Sequence, residues 1–253
     1  MSLLAIESVS VRFGGIAALD EVSFAVADGE LLGLIGPNGA GKTTMLRTIT
    51  GVVAPERGRI RLAGHDLAGL APHRRTRLGL GLSQQLVRPF RSLSVVDNVA
   101  LAAGAARTRG PWSALCHRDR RAERARALAL LELVGIADAA DAMPANLPLG
   151  HLKRLELARA LALEPKLLLL DEPLAGLNHV EAAGLADTVA GLNRAGRTVI
   201  LIEHNLGEVL RICARLVVLD NGRRIAEGAP QAVMADPSVR AAYLGEGANH
   251  AAT

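Results

Sequence analysis

The sequence predicts an α/β fold built on a parallel sheet, and three observations lead there. From Leu167 onward, short apolar runs alternate with helical stretches: Leu167 to Leu170, Glu181 to Asn193, Thr198 to Ile202, Gly207 to Cys213 and Leu216 to Leu219. Strands separated by helices pair in parallel, because a crossover is needed to bring the chain back to the same end of the sheet. Earlier, the apolar run Leu31 to Ile35 passes through a glycine-rich loop into the helical turns of Met45-Leu46-Arg47-Thr48-Ile49. Between about residues 86 and 160 the character turns helical, so the alternation is interrupted and then resumes.

Length and composition set bounds. The chain has 253 residues, enough for one or two domains, with no internal repeat. Half of the residues are hydrophobic, yet runs such as Leu167 to Leu170 and Val199 to Ile202 are far too short to span a bilayer. Met1 to Ile6 leads straight into a strand pattern and lacks the form of a signal peptide. A soluble, cytoplasmic protein is expected. Cys116 and Cys213 imply no disulfide framework and read as buried, reduced thiols. A net charge of +4 does not call for nucleic acid. The aromatic side chains are three Phe, one Trp and one Tyr, too few for a base-stacking platform.

Residues 3 to 26 alternate apolar and polar between Gly14-Gly15 and Asp28-Gly29, which predicts strands and turns. Phe13 reads equally as a core ring or as a ring stacked on a bound base. Pro55-Glu56-Arg57-Gly58 and Gly64-His65-Asp66 are turns around a short strand, Arg59 to Leu62. Arg74, Arg75 and Arg77 read as a solvated helix face. The glycine alternation of Leu78 to Gln85 predicts a strand closely approached by other backbone, with Gln85 at its end. Val95 to Ala103 is a helix candidate, and Gly110-Pro111 breaks the chain. Arg118 to Val134 is a charged helix with Leu128, Leu131 and Val134 on one face. Pro144 and Pro148 bracket a loop before a helix from His151 to Leu163, and the tail from Gly245 to Thr253 is expected to fray.

The chemistry sits at strand ends. Gly36-Pro37-Asn38-Gly39-Ala40-Gly41-Lys42-Thr43-Thr44 has the spacing G-x-x-x-x-G-K-[ST] between a strand and a helix. Glycines let successive N–H groups face one anion, and the helix N-terminus adds partial positive charge. The site therefore calls for a polyphosphate: Lys42 reaches the β- and γ-phosphates, and the Thr43 hydroxyl is placed to ligate Mg²⁺. Asp171 and Glu172 close the apolar strand Leu167 to Leu170. Asp171 can hold Mg²⁺, and Glu172 can polarise the attacking water as a general base. The strand Val199 to Ile202 ends in Glu203-His204, where a histidine can hydrogen-bond the γ-phosphate. Gln85 can touch Mg²⁺ or orient water.

In this order the phosphate loop, Gln85, a helical segment, Leu147-Pro148-Leu149-Gly150-His151, Asp171-Glu172 and His204 resemble the ATP-binding subunit of an ABC transporter. The resemblance covers roughly residues 3 to 245. It implies a RecA-like P-loop NTPase core with a small antiparallel β-subdomain and an inserted helical subdomain. The implied division of one ABC ATPase domain is 1–85 and 161–230 for the nucleotide-binding lobe, 86–160 for the helical lobe and 231–253 for a C-terminal extension. It further implies ATP and Mg²⁺ as cofactors, with Thr43, Gln85 and Asp171 toward the metal, and Phe13 as the adenine-stacking aromatic. Two chains would close head to tail over two ATP molecules, each phosphate loop facing the other chain's signature segment. Ala175-Gly176-Leu177-Asn178, Leu201-Ile202-Glu203-His204, the insertion around 104 to 120 and the ending Val239 to Glu246 are similar to the longer ATPase subunit of branched-chain amino acid importers. Implied partners are membrane permease subunits, a second ATPase subunit and, indirectly, a periplasmic solute-binding protein. The implied place is peripheral, on the cytoplasmic face of the inner membrane.

The chain departs from the family pattern in two segments. The signature is usually Leu-Ser-Gly-Gly-Gln, and here Pro148 offers neither hydroxyl nor N–H while Leu149 adds bulk. Asn178 stands where an aspartate is usual. Alternatives are an ATPase of a urea or amide importer, of a lipid or glycolipid exporter, or a slow-hydrolysing regulatory subunit. The altered signature favours the last; intact Glu172 and His204 oppose it.

Overall fold

The computed structural model describes residues 2–83, 88–105 and 121–250. Strands β3 (Leu31–Ile35), β6 (Leu80–Ser83), β7 (Leu167–Asp171), β8 (Thr198–Ile202), β9 (Arg215–Asp220) and β10 (Arg223–Gly228) form a six-stranded sheet in the order β10-β9-β3-β8-β7-β6. All neighbours are parallel except β10, which returns antiparallel along β9. Strands β1 (Ser2–Phe13), β2 (Ile16–Ala27), β4 (Arg57–Leu62) and β5 (His65–Asp66) form a separate antiparallel sheet in the order β2-β1-β4-β5.

The parallel sheet divides two cores, and the strand period of two allots side chains between them. Leu32, Leu34, Leu167, Leu169, Ile200, Ile202, Val217 and Leu219 point toward the antiparallel sheet and helix α1 (Lys42–Thr50). Leu31, Ile35, Leu168, Leu170, Val199, Leu201, Leu216 and Val218 point the other way. That second core is closed by helices α3 (Val95–Ala105), α4 (Arg121–Leu133), α5 (Leu149–Ala162), α6 (His179–Arg194) and α7 (Leu206–Ile212). The short helix α8 (Pro230–Ala235) and the helix α9 (Pro237–His250) complete it with Val233 and Val239. Strands buried on both faces read as unbroken apolar runs, which is why the sequence marks them so clearly.

Several expectations need correction. Arg75, in helix α2 (Pro72–Arg77), is buried, while Arg74 and Arg77 are exposed. Its guanidinium donates to the carbonyls of Thr48 (2.7 Å), Ile49 (2.8 Å) and Leu70 (2.9 Å), so it caps the C-terminal end of α1. The carbonyls that end a helix need donors, and an arginine satisfies several at once. Leu128 is 40% exposed; the buried face of α4 is Glu123, Ala127 and Leu131, continued by Val134, at true helical spacing. The tail remains helical through His250. The close approach expected along Leu78 to Gln85 is found at Gly81, where a Cβ would lie 2.8 Å from Pro165. Gln85, Cys116 and most of the insertion around 104 to 120 lie outside the described residues.

Candidate functional site

Because β3, β7 and β8 run side by side in one direction, the residues that follow them meet at one edge of the sheet. The loop after β3 is shaped by two glycines. Gly36 has φ +145°, and a Cβ there would lie 2.0 Å from the Leu219 carbonyl oxygen. Gly41 has φ +101°, and a Cβ would lie 2.7 Å from the Ala18 carbonyl oxygen. The Ala40 amide donates to Pro37 (3.2 Å), and the Gly222 amide donates to Ala40 (3.1 Å), fixing the loop against the neighbouring hairpin. Helix α1 starts at Lys42 with no side-chain cap and no acidic residue in its first turn. Its N-terminal amides and the positive end of its dipole therefore face the loop unopposed. Lys42 is buried, and its ammonium donates to the carbonyls of Gly36 (2.5 Å) and Pro37 (2.8 Å). A cleft of about 180 Å³ is lined by Ala18, residues 38–44, Glu172 and His204. A glycine cradle, an uncapped helix and a buried ammonium fit a polyphosphate.

Across the cleft stand the ends of β7 and β8. Asp171 is buried, and burial, followed by the Glu172 carboxylate, pushes its carboxyl above the usual range. A nearby cation would favour its ionised form. Glu172 takes φ +48°, a left-handed conformation uncommon outside glycine, and its amide donates to Ile202 (2.9 Å). This turn sends its carboxylate toward His204, whose Nε2 lies 2.7 Å from Glu172 Oε1. His204 is the more exposed of the two and faces the phosphate loop.

The remaining candidates lie farther out. Phe13 ends β1 with half its surface exposed and is not among the cleft's lining residues, so it is no core ring. Leu147 to His151 enter α5, with Pro148 at the N-cap, exposed and extended at φ −64°, ψ 159°. Leu149 is exposed and Gly150 buried. Thr43 and Asn38 are exposed in the cleft. Asn178 is the N-cap of α6 in a reciprocal capping box with Glu181 (2.9 and 3.2 Å), a task a neutral amide performs as well as an aspartate.

Sequence reasoning missed two residues beside this site. Glu203 entered it only as a subfamily marker, yet it is buried, with its Oε1 accepting from the Leu174 amide at 2.6 Å. Lys153 in α5 is buried, and its Nζ donates to the Glu172 carbonyl at 3.2 Å. The available signal was a charge directly extending an apolar strand, and a lysine on the inward side of a helix.

A phosphate cradle at the first helix, opposed by a carboxylate–histidine pair just past the ends of neighbouring strands, defines a P-loop nucleotide hydrolase. The ABC transporter family matches residues 19–175, more than half of the chain, and the branched-chain amino acid ATP-binding cassette transporter family matches residues 223–249. The chain belongs to the ABC transporter family of ATP-binding subunits, and its reaction is ATP hydrolysis. It is 38% identical over 250 residues to the high-affinity branched-chain amino acid transport ATP-binding protein LivG of Salmonella typhimurium, covering 96% of this chain and 98% of that one. The lipopolysaccharide export system ATP-binding protein LptB of Escherichia coli is 35% identical over 246 residues, covering 97% and 98%. Among solved structures, the ADP conformation of an ATP-binding cassette of an ABC transporter superposes with a TM-score of 0.85 at 30% identity, covering 97% and 99%. A dimeric cassette in a post-hydrolysis state, bound to ADP and phosphate, gives 0.78 at 25% identity, covering 90% and 98%.

Proposed function

We propose that this chain is the ATP-hydrolysing subunit of an importer for branched-chain amino acids, bound peripherally at the cytoplasmic face of the inner membrane. The observation that carries the substrate class is the C-terminal match at residues 223–249, supported by the likeness to LivG along almost the whole chain. Among the described residues no helix is long and apolar enough to cross a membrane, so permease chains supply the path. The dimeric cassette supports a second ATPase chain as partner, and a periplasmic solute-binding protein would deliver the ligand.

The proposed division of labour is supported by the geometry of the cleft. Lys42 and the amides of Gly39 to Thr43 bind and orient the triphosphate. Thr43 and Asp171 would hold Mg²⁺, and Gln85 is proposed for the same ion. Bound Mg²⁺ supplies charge neutralisation at the phosphate oxygens. Glu172 takes a proton from the attacking water, and His204, 2.7 Å away, holds that carboxylate while facing the γ-phosphate position. Phe13 is proposed to cover the base. The Leu147 to His151 segment offers its helix N-terminus to the nucleotide of the second chain.

Affinity capture of the tagged chain from detergent-solubilised membranes tests this reading. Two polytopic permeases, with a second ATPase and ATP-dependent uptake of leucine, isoleucine or valine into vesicles, are expected. Permeases that move only urea or amides, or a lipid-exporting complex, would replace the substrate class while keeping the motor. Capture of no membrane protein would favour a regulatory nucleotide-binding subunit.

A further inference from the structure

Beneath Glu172 lies a set of charges that the hydrolytic roles leave unused. Glu203 Oε1 accepts from the Leu174 amide at 2.6 Å, two residues beyond Glu172. Its Oε2 accepts from the His204 amide at 3.2 Å, and the Asn205 amide also points at this carboxylate. One side chain thus ties the loop carrying Glu172 to the loop carrying His204. Lys153 in turn donates to the Glu172 carbonyl at 3.2 Å. Its ammonium feels the charges of Glu203, Glu172, Asp171 and Glu156, Glu203 most strongly. Both side chains are almost wholly buried, Glu203 at 3% and Lys153 at 5% exposure.

Burying such groups carries a cost. Burial pushes the Lys153 amine down and the Glu203 carboxyl up, so each is held against its own preference by its neighbours. What they hold is unusual backbone. Glu172 sits at φ +48°, a left-handed conformation that L residues with a side chain adopt only at a cost. Such a conformation persists only when the surroundings over-determine it. Here three contacts do so: the Glu172 amide on Ile202, the Lys153 ammonium on the Glu172 carbonyl, and the Glu203 carboxylate on Leu174.

We propose that Lys153 and Glu203 are positioning residues for ATP hydrolysis, bracing the backbone around Glu172 at two points so that its carboxylate meets His204 over the phosphate loop. Neither lines the cleft, so Lys153 acts through Glu172, and Glu203 through the loops that carry Glu172 and His204. Lys153 is rooted in α5, the helix that opens with Leu149 and Gly150, so the brace also joins the signature segment to the hydrolytic carboxylate. The inference rests on the reading of Glu172 as general base.

The test is steady-state hydrolysis and equilibrium ATP binding by the full chain with its co-purified membrane subunits. Lys153→Met is expected to lower kcat about a hundredfold, the scale of a misplaced reacting group, with KM for ATP within about threefold of the parent. Lys153→Arg, which keeps charge and donors, is expected to recover most of that loss. Glu203→Gln keeps the shape but sets an NH₂ against backbone N–H groups, and should likewise lower kcat alone. Glu172→Gln is measured alongside. If it still turns over, the base assignment beneath the inference fails. If it is inactive while Lys153→Met and Glu203→Gln run at the parent rate, the brace alone is overturned. Parallel loss of kcat and ATP affinity that Lys153→Arg does not restore would assign Lys153 a merely structural role and also overturn it. Should Lys153→Met not fold, Glu203→Asp decides: its carboxylate is too short to span both loops, so reduced kcat with intact binding supports the brace and an unchanged kcat refutes it.

Discussion

The phosphate loop and the signature segment both lead into a helix N-terminus, yet they prepare it differently. At α1 the N-cap is a left-handed glycine, the first turn carries Lys42, and two glycines bring backbone within reach of an anion. At α5 the N-cap is Pro148, which has no side-chain donor and no N–H. Leu149 lies over Gly176, close enough that a Cβ on that glycine would meet it at 2.9 Å. What the second segment keeps is the set of free amides at the start of a helix, with no acidic residue in the first turn. The difference teaches that anion binding can rest on the backbone alone, while charge and hydroxyl groups set how strongly a developing charge is stabilised. On the proposed head-to-tail pairing each nucleotide would meet one end of each kind, and this chain would contribute one fully equipped half-site and one reduced half-site.

The largest expected effect lies on the equipped side. Glu172→Gln keeps the shape beside His204 but cannot take a proton. Hydrolysis should fall by about 10²–10⁴-fold with ATP binding retained. A radiolabelled-nucleotide binding assay paired with phosphate release reads both quantities. Comparable loss of binding would mean that Glu172 holds the nucleotide rather than the water, and the contrast between the two ends would lose its chemical basis.

On the reduced side, Pro148→Ser restores a hydroxyl and an N–H at the α5 N-cap. One donor aimed at developing charge is worth about 2.7–4 kcal/mol at best, so turnover at that site can rise up to about a hundred- to a thousandfold. The observed gain in the assembled complex tells how the sites share the work. A strong rise means that the site using Pro148 limits the cycle, as it must if both chains are identical. A small rise with two distinguishable single-turnover phases places the fast chemistry at the other site, against a second ATPase with a complete signature. No change in either phase would show that the missing serine is no handicap.

Much of the equipped half-site was legible because its chemistry is local in sequence. Asp171 ends β7, Glu172 and His204 come just after β7 and β8, and Lys42 and Thr43 follow the loop that leaves β3, while parallel neighbours β3, β8 and β7 must bring their ends together. The strands themselves stood out because both faces are buried. What escaped were side chains whose role depends on what folds against them. Arg75 looked like its neighbours Arg74 and Arg77, and only the approach of the α1 C-terminus makes it a cap. Lys153 and Glu203 are 50 positions apart and meet around Glu172 through tertiary packing, which no local period records. Leu128 was misread for a simpler reason: spacing by threes drifts off a helical face, whereas Ala127, Leu131 and Val134 stay on it.

Two glycine substitutions sharpen the comparison at the level of stability. Gly36→Ala must place a Cβ 2.0 Å from the Leu219 carbonyl oxygen at φ +145°. That neighbour is backbone in the middle of a packed sheet and cannot withdraw, so a loss of about 3–5 kcal/mol is expected. For a chain of this size the midpoint of thermal unfolding should fall by about 10 °C. Gly150→Ala meets only Glu181 Oε1 at 2.9 Å, the far end of a flexible side chain. Alanine is also favoured over glycine in a helix, though by less than the about 1 kcal/mol of a helix interior because Gly150 is the second residue of α5, and this offsets part of the crowding. Its net effect should stay within about 1 kcal/mol, read from the same melt. Equal losses at both positions would mean that the signature helix is held as tightly as the phosphate loop. The reduced half-site would then be a rigid surface rather than one with room to adapt to a partner's nucleotide.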